Sequence, residues 1–284
     1  VKDALCDTLR DATGSRPSVD TRHPDLPLVL HLTAETASLY ADTSGEALFK
    51  RGWRDERDGG LKGEAPLKET LAAAMLAAAG WRGRAEDGVL LDPCCGAGTI
   101  AIEAAQIACG IAPGLRRRFA FERMLPFRTL LAAWAQIKAE AQAQVHAPAV
   151  AIHAGDVSFR MTDFAARNAQ RAGVGDAIVF KTADALQRPP PAERGLLVFN
   201  PPYGERIEAK GSRGERGAQR LGREGFDASG SDAAGRADGE PDAAGAAFFS
   251  GLAAHWKRAY AGWTAWVLSP DMKLPQALRL KEAR

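Results

Sequence analysis

The sequence predicts an α/β fold, in which helices cover both faces of a parallel sheet and a partial α+β module comes first. From residue 89 onward, short apolar runs alternate with helical patterns, as in a series of β-α-β units. Two strand-like runs, 28–33 and 37–42, follow a helical pattern near the amino terminus. A polar, glycine-containing stretch separates these regions, so we expect a module over 1–52, a linker over 53–64 and a large domain over 65–284.

The elements of the large domain are predicted from apolar periodicity and from breaking residues. An alanine-rich helix spans 67–79 and ends at Gly80, with Pro66 at a first-turn position that tolerates proline. The stretch 211–245 is almost wholly Gly, Ala, Ser, Asp, Glu and Arg, so we expect a flexible insertion over about 209–245. The alternating strands and helices are predicted at 89–91, 99–108, 150–153, 159–172, 178–180, 196–199, 246–260 and 264–268.

Composition excludes several classes of protein. The 284 residues, 46% of them hydrophobic, suffice for one large domain and a small module. The net charge of +2 neither demands nor excludes a nucleic-acid partner, and the run Arg116, Arg117 and Arg118 fits phosphate contacts and a solvated cluster about equally. Four cysteines and scattered histidines lack the spacing of a disulfide framework or a metal site. The longest apolar run, 71–79, is too short for a membrane span, so we expect a cytoplasmic protein without a metal.

The turn at 92–99, with the sequence Asp-Pro-Cys-Cys-Gly-Ala-Gly-Thr, joins the first strand of the sheet to the next helix. Open α/β sheets bind nucleotide-like ligands here, because glycines let the ligand approach the backbone. The spacing is Gly-x-Gly without a third glycine, and the Asp92 carboxylate suits a cationic amino-acid moiety but would repel a pyrophosphate. The pattern favours S-adenosylmethionine over NAD, and a turn that only serves helix packing is the alternative. The predicted cofactor contacts in this turn are Asp92, Pro93, Gly96, Gly98 and Thr99.

Two more aspartates follow the next two strands. Asp156 comes after the second strand, where an acidic side chain can accept hydrogen bonds from ribose hydroxyls. Asp184 comes after the third strand, where it can accept one from an adenine amino group. Each aspartate alone is more typical of a turn or a helix cap. At successive strand ends, the two together predict one ligand.

Asn200, Pro201, Pro202 and Tyr203 follow the fourth strand directly. Such residues also form ordinary turns. However, an exocyclic base amine is a poor nucleophile, because its lone pair is delocalised into the ring. If the Asn200 side-chain oxygen and the Pro201 carbonyl accept its two N–H groups, the nitrogen can pyramidalise towards a methyl group, while Tyr203 stacks on the base. We therefore predict direct methyl transfer with these four residues as the catalytic set, and Asn200 also next to the cofactor.

With both motifs placed, the chain resembles the THUMP-domain class I RNA methyltransferases, and among them the bacterial 23S ribosomal RNA guanine-N2 methyltransferases. The resemblance implies a Rossmann-like class I methyltransferase sheet and a THUMP RNA-binding domain whose C-terminal part is 1–52. It also implies S-adenosylmethionine as cofactor, and 23S rRNA, before or during large-subunit assembly, as partner. Stretches outside the two motifs that make the resemblance specific are 1–4, 42–45, 51–54, 65–73 and 112–115.

The chain departs from the family pattern in three ways. It lacks the N-terminal half of the THUMP domain, it carries an insertion without a recognised counterpart, and it stops at Arg284 before the usual closing strand pair. We therefore expect a sequence truncated at both ends, with an incomplete sheet. The second methyltransferase domain of some family members, which makes 7-methylguanine, is also absent from this chain.

Other functions stay open on the sequence alone. The same Asn-Pro-Pro-Tyr motif would serve a tRNA guanine-N2, a DNA adenine-N6 or a glutamine methyltransferase, and only the amino-terminal resemblance separates these. An RNA-binding module that has lost catalysis is the alternative of a different class.

Overall fold

The computed structural model of the chain describes residues 1–21, 24–54, 67–202, 243–271 and 274–280. The chain divides into two compact units. One comprises Val1–Gly52 and Pro113–Gln144, and the other comprises Trp53–Ala112 and Val145–Arg284. The sequence analysis had assigned 113–144 to the large domain, whereas in the structure this segment packs with the amino-terminal residues.

The second unit is built on a five-stranded, fully parallel sheet. The strands are β3 (Val89–Asp92), β4 (Ile152–Asp156), β5 (Ile178–Thr182), β6 (Gly195–Phe199) and β7 (Trp263–Val267). Their order in the sheet is β5-β4-β3-β6-β7, so the chain adds β4 and β5 on one side of β3 and then β6 and β7 on the other. In open α/β sheets such a change of side leaves a crevice at the carboxyl ends of the strands.

Helices cover both faces of this sheet, as the sequence predicted. Alternation along each strand directs successive residues to opposite faces. The helices are α2 (Glu69–Ala78), α3 (Thr99–Ala108), α5 (Phe159–Ala172), α6 (Ala243–Ala259) and α7 (Leu274–Leu278). Leu90 thus joins the core under α2, α3 and α5, while Leu91 joins the core under α6 and α7. On the second face, the rings of Phe199 and Trp256 meet edge to face at 5.4 Å.

The element boundaries agree closely with the sequence predictions. The predicted bounds of α3 and α5 are those observed, and α2 begins two residues late, because Lys68 still has an extended backbone. The predicted insertion lies outside the described residues as far as 242, and its last three residues belong to α6. No helix in the described part of the chain is long and apolar enough to cross a membrane.

The first unit combines α1 (Lys2–Thr13), an antiparallel hairpin of β1 (Leu28–Leu32) and β2 (Ala37–Ala41), and α4 (Leu131–Ala143) with the short helical turns before it. Arg117 joins the two segments of this unit. Its buried guanidinium donates to the carbonyls of Ala47 (3.2 Å), Lys50 (3.5 Å), Ser44 (3.3 Å) and Glu46. It also lies 4.9 Å from the centre of the Phe119 ring. Neither interpretation of the arginine run therefore holds for Arg117, which is a buried structural residue.

Candidate active site

Three of the predicted site residues, Asp92, Asp156 and Asn200, lie at the same edge of the large sheet. Asp92 ends β3 and is in register with Ala154 of β4, so Asp156 lies one pleat beyond it. On the other side of β3, Leu91 pairs with Leu197 of β6, and Asn200 follows three residues later. Because the strands are parallel, all three polar residues lie at their carboxyl ends.

The glycine turn after β3 has an open side. Gly96 has a φ of 51° and, among the described atoms, none lies within 4 Å of where a Cβ would stand. Gly98 has a φ of 87°, and a Cβ there would be 3.0 Å from that of Ala165, so this glycine allows α3 to pack on α5. The buried Asn168 side chain holds the turn by donating to the Ala97 carbonyl at 3.0 Å. Gly96 thus leaves room for a ligand, while Gly98 serves packing.

Asp92 is almost completely buried, at 1% exposure. Its Oδ1 accepts a hydrogen bond from the Cys94 N–H at 3.3 Å. The pKa of Asp92 is raised to about 8, mainly by burial and to a smaller extent by the Asp156 carboxylate, against the lowering effects of the Cys94 N–H and of Arg188. A cation at this strand end would stabilise the ionised carboxylate, which is the role that the sequence predicted for a ligand ammonium group.

Asp156 joins β4 to the glycine turn. Its Oδ2 accepts from the Gly96 N–H at 3.1 Å and its Oδ1 accepts from the Ser158 N–H at 2.9 Å. A carboxylate offers about four lone-pair positions, so each oxygen can accept a further hydrogen bond. Asp156 is half-buried, which leaves it accessible for a pair of hydroxyl donors.

Asp184 lies two residues beyond β5 and shapes the turn that follows. Its Oδ1 accepts from the Leu186 N–H at 2.9 Å and its Oδ2 accepts from the Gln187 side chain at 3.4 Å. This is the turn-capping geometry that the sequence offered as the alternative for this aspartate. A role with adenine stays a prediction.

The hydroxyl of Thr99, at the start of α3, has a protein partner. Its Oγ1 lies 2.5 Å from Nη2 of Arg54, which also donates through Nε to Glu69 at 2.6 Å and through Nη2 to the Leu67 carbonyl at 3.3 Å. The Glu69 side chain is only 3% exposed. Through its contacts with Glu69 and Thr99, Arg54 links α2 to the start of α3. Contact of Thr99 with a cofactor stays a prediction.

The catalytic motif begins where β6 ends. Asn200 and Pro202 are half-buried and Pro201 is buried. The N–H of Leu268, after β7, donates to the Phe199 carbonyl at 3.1 Å and fixes the end of the strand. Tyr203 lies outside the described residues, so its stacking role stays a prediction.

The adjacent thiols of the turn are inert groups. Burial raises the pKa of both Cys94 and Cys95 well above the usual value, and the Asp92 and Asp156 carboxylates add to this rise. In the described ranges, no group of three or more His, Cys, Asp or Glu residues could hold a metal ion.

Two comparisons with family models identify the domains. Residues 51–219 match the RMKL-like methyltransferase domain and residues 1–42 match the THUMP domain. The first match covers more than half of the 284 residues. The chain belongs to the RMKL-like methyltransferase family.

Relatives and solved structures agree with the RMKL-like assignment. The chain is 38% identical to ribosomal RNA large subunit methyltransferase K/L of Shewanella amazonensis, over 99% of this chain and 35% of the relative. It thus spans about a third of the length of the curated relatives that it matches. The structure of SMU.472 in complex with SAH covers it fully, with a TM-score of 0.74, 27% identity and 64% of that chain aligned. A Listeria monocytogenes structure, described as a predicted N6-adenine-specific DNA methylase, also covers the whole of this chain, with a TM-score of 0.73, 28% identity and 63% of that chain aligned.

In this RMKL-like chain, sequence reasoning missed two arginines near the site, the half-buried Arg54 and the buried Arg188. Arg54 and its partner Glu69 stand in the stretches 51–54 and 65–73, which were noted for the family resemblance but were given no role. Arg188 comes after Asp184 in a proline-rich stretch without a recognisable signal, and the structure places it against Gly155 of β4. Only the folded chain brings either arginine to the carboxyl edge of the sheet.

Proposed function

We propose that this chain methylates the exocyclic N2 amine of a guanine in 23S ribosomal RNA, with S-adenosylmethionine as methyl donor. The observation that carries the proposal is the position of Asp92 and Asn200 at the ends of neighbouring parallel strands, on either side of the point where the sheet order reverses. The THUMP match and the K/L relatives support an RNA substrate of ribosomal origin. Ribosomal RNA is in the bacterial cytoplasm, so the proposed substrate agrees with the predicted cytoplasmic location.

The residues present fit this cofactor. The open side of Gly96 admits a ligand to the backbone. Asp92 is buried, and the described residues of the glycine turn provide no cation that would stabilise its carboxylate. Asp92 would hold the ammonium group, Asp156 the ribose hydroxyls, and the turn at 93–99 the remainder of the amino-acid moiety. The SAH complex of a structure with the same fold supports this choice. The bound cofactor would supply an electrophilic methyl group.

The chain's own residues would then activate the amine. The Asn200 side-chain oxygen and the Pro201 carbonyl would accept its two N–H groups, which keeps the nitrogen lone pair out of the ring and directed at the cofactor side. Two consecutive prolines fix the backbone φ angles, so the Pro201 carbonyl is held before substrate arrives. Tyr203 would stack on the base. Catalysis would rest on positioning and on hydrogen bonds that strengthen as charge develops.

The test uses the full-length protein, with S-adenosylmethionine labelled in its methyl group. Incubation with 23S rRNA stripped of modification, followed by nucleoside analysis, should yield N2-methylguanosine. Transfer RNA and adenine-containing DNA serve as competing substrates. N2-methylguanosine in tRNA alone would favour the tRNA enzyme, N6-methyladenine in DNA would favour the activity named for the Listeria structure, and methylated glutamine in protein would favour a glutamine enzyme. RNA binding without cofactor binding by calorimetry would favour an RNA-binding module that has lost catalysis.

A further inference from the structure

Arg54 is held in a fixed orientation beside the end of the glycine turn, residues 92–99. Its Nε donates to the buried carboxylate of Glu69 at 2.6 Å, and its guanidinium carbon lies 4.6 Å from the centre of the Trp53 ring. Its Nη2 lies 2.5 Å from Oγ1 of Thr99, the first residue of α3. The ion pair, the ring and the hydroxyl thus orient the guanidinium against the residue at which the turn ends.

The donors of Arg54 are only partly used. Arginine has one N–H on Nε and two on each terminal nitrogen. Glu69 accepts from Nε, while Nη2 donates to the Thr99 hydroxyl and to the Leu67 carbonyl at 3.3 Å. Nη1 is shielded from water and has no acceptor among the described residues, although the side chain as a whole is 17% exposed. A buried donor without an acceptor is destabilising, and a ligand that supplies the acceptor would account for it.

The Thr99 hydroxyl has a donor to offer beside Nη1. Its oxygen accepts from Arg54, and a hydroxyl can donate its own hydrogen at the same time. Because Thr99 is the first residue of α3, no earlier turn of this helix presents a carbonyl to that hydrogen. Nη1 is bonded to the same carbon as Nη2, which contacts the hydroxyl. The two free donors can therefore converge on one small anionic group.

The surroundings of Arg54 also favour an anion. Arg54 contacts Glu69 in the first turn of α2 and Thr99 in the first turn of α3, so both helices begin at the carboxyl edge of the sheet. Among the described residues, no side chain caps the first N–H groups of either helix. These N–H groups carry partial positive charge, which attracts anions. The Glu69 carboxylate offsets the charge of Arg54 from the Nε side and leaves the side of Nη1 to a ligand.

We propose that Arg54, through Nη1, and the Thr99 hydroxyl bind the carboxylate group in the amino-acid moiety of the cofactor. The inference rests on the proposed use of S-adenosylmethionine, and it adds the half of that moiety for which the sequence predicted no side-chain partner. Asp92, where the turn begins, would hold the ammonium group, and Arg54, where the turn ends, would hold the carboxylate attached to the same carbon atom. Opposite charges at the two ends of the turn match a zwitterion.

Arg54 is the cation that the fold places against this turn. In the described ranges, the side chains from elsewhere that hydrogen-bond to residues 92–99 are those of Asp156, Asn168 and Arg54, of which Arg54 alone is a cation. Arg188 lies against Gly155 of β4. Since Asp92 is in register with Ala154, strand alternation puts Gly155 and Arg188 on the opposite face of the sheet from Asp92.

The experiment compares two ligands that differ only in the carboxylate, S-adenosylhomocysteine and its decarboxylated analogue. Calorimetry with the wild type should show that S-adenosylhomocysteine binds about tenfold to a hundredfold more tightly, the range for a hydrogen bond between charged groups. Arg54→Met should remove most of this preference by weakening S-adenosylhomocysteine, while binding of the analogue stays nearly unchanged. Arg54→Gln, whose amide can donate to Glu69, gives the same test if the methionine variant does not fold.

Matched variants separate ligand contact from structural support. Arg54→Lys keeps the charge and should keep part of the preference. Thr99→Val removes the hydroxyl and should lower the preference, whereas Thr99→Ser should retain it. Arg194→Met removes a charge from an exposed position before β6 and should change neither affinity.

Two results would overturn the inference alone. One is a wild type that binds both ligands equally well, which means that the site does not recognise the carboxylate. The other is an equal loss of affinity for both ligands in the neutral Arg54 variants, which means that Arg54 only supports the fold. A wild type that binds neither ligand would instead overturn the proposed function, and this inference with it.

Discussion

The two compact units each bury an arginine, and the two side chains have different surroundings. In the first unit, the terminal nitrogens of Arg117 donate to four backbone carbonyls, and Nε is its one buried nitrogen without a partner among the described residues. In the second unit, Nη1 of Arg188 has no partner in the described ranges, and burial lowers the pKa of the guanidinium, which Tyr260, Cys95 and Asp92 offset only in part. One buried charge is satisfied locally, while the other is balanced only at a distance.

The difference separates a contact that holds the fold together from the region that we propose as the cofactor site. A buried cation that is saturated with carbonyl oxygens holds two chain segments together and leaves nothing for a ligand. A buried group that lacks its partner costs stability, and such a cost persists where function requires the group. Near the carboxyl edge of the large sheet, Nη1 of Arg54 and Nη1 of Arg188 are buried without a partner among the described residues, whereas both terminal nitrogens of Arg117 have carbonyl partners.

The largest effect is expected at Asn200, where a change should break the function of the carboxyl edge and spare its structure. Asn200→Ala should lower single-turnover methyl transfer to an rRNA fragment by about a hundredfold or more, because the lost hydrogen bond strengthens only as the amine reacts. Affinity for S-adenosylmethionine, measured by calorimetry, should barely change. Near-normal turnover of Asn200→Ala would show that another group activates the amine.

The next effect is expected at Arg117, where a substitution should destabilise the first unit without affecting cofactor binding. Arg117→Met removes the guanidinium donors from the carbonyls of Ser44, Glu46, Ala47 and Lys50, so the first unit should lose about 3 kcal/mol of stability. Native-state hydrogen exchange of the amides in 43–50 would report this loss. Arg118→Met, at an exposed neighbouring position, is the matched control. Unchanged exchange in Arg117→Met would mean that the unit does not depend on this arginine.

A smaller effect should separate the two carboxylates. Asp156→Ala should weaken S-adenosylmethionine binding by about 1–3 kcal/mol, the range for hydrogen bonds to a charged acceptor. Part of this loss comes from the glycine turn, because the Gly96 N–H loses its acceptor. Asp156→Asn keeps one acceptor oxygen and should recover part of the affinity. A folded Asp156→Ala variant with wild-type affinity would remove this residue from the proposed site.

The smallest effect concerns the ligand-free protein, in which a substitution at Asp92 should raise the stability instead of lowering it. Since the pKa of Asp92 is raised from 3.8 to about 8, the native state binds more protons than the unfolded state between these values, and stability falls as pH rises through this range. Asp92→Asn removes the buried charge, so the melting temperature at pH 8.5 should rise by about 2–4 °C for each kcal/mol relieved, with little change at pH 5. S-adenosylmethionine binding should be lost. A lower melting temperature at pH 8.5 than in the wild type would contradict the costly charge at this strand end.

Much of the fold could be predicted from local patterns. Apolar runs bounded by turn residues placed the strands of the large sheet to within about three residues, and the bounds of α3 and α5 were predicted as observed. The positions of the polar residues in the sequence were also informative, because polar residues directly after apolar strands must lie at the carboxyl edge of a parallel sheet. The packing of 113–144 with the amino-terminal segment was not predictable, since it depends on contacts between residues far apart in the chain, such as those of Arg117 with the Ala47 and Ser44 carbonyls and of the Phe121 N–H with the Thr43 carbonyl.

The class of fold, the position of the glycine turn and the motif Asn200, Pro201 and Pro202 after β6 can be inferred from the sequence, because each depends on periodicity or on neighbours in the chain. The strand order, which makes β3 and β6 adjacent, and the burial that raises the pKa of Asp92 are established by the tertiary structure. It alone also placed Arg188 under Gly155 and joined Arg54 to Thr99. Burial and charge compensation depend on residues far apart in the chain, and these meet only when the sheet and its helices have packed.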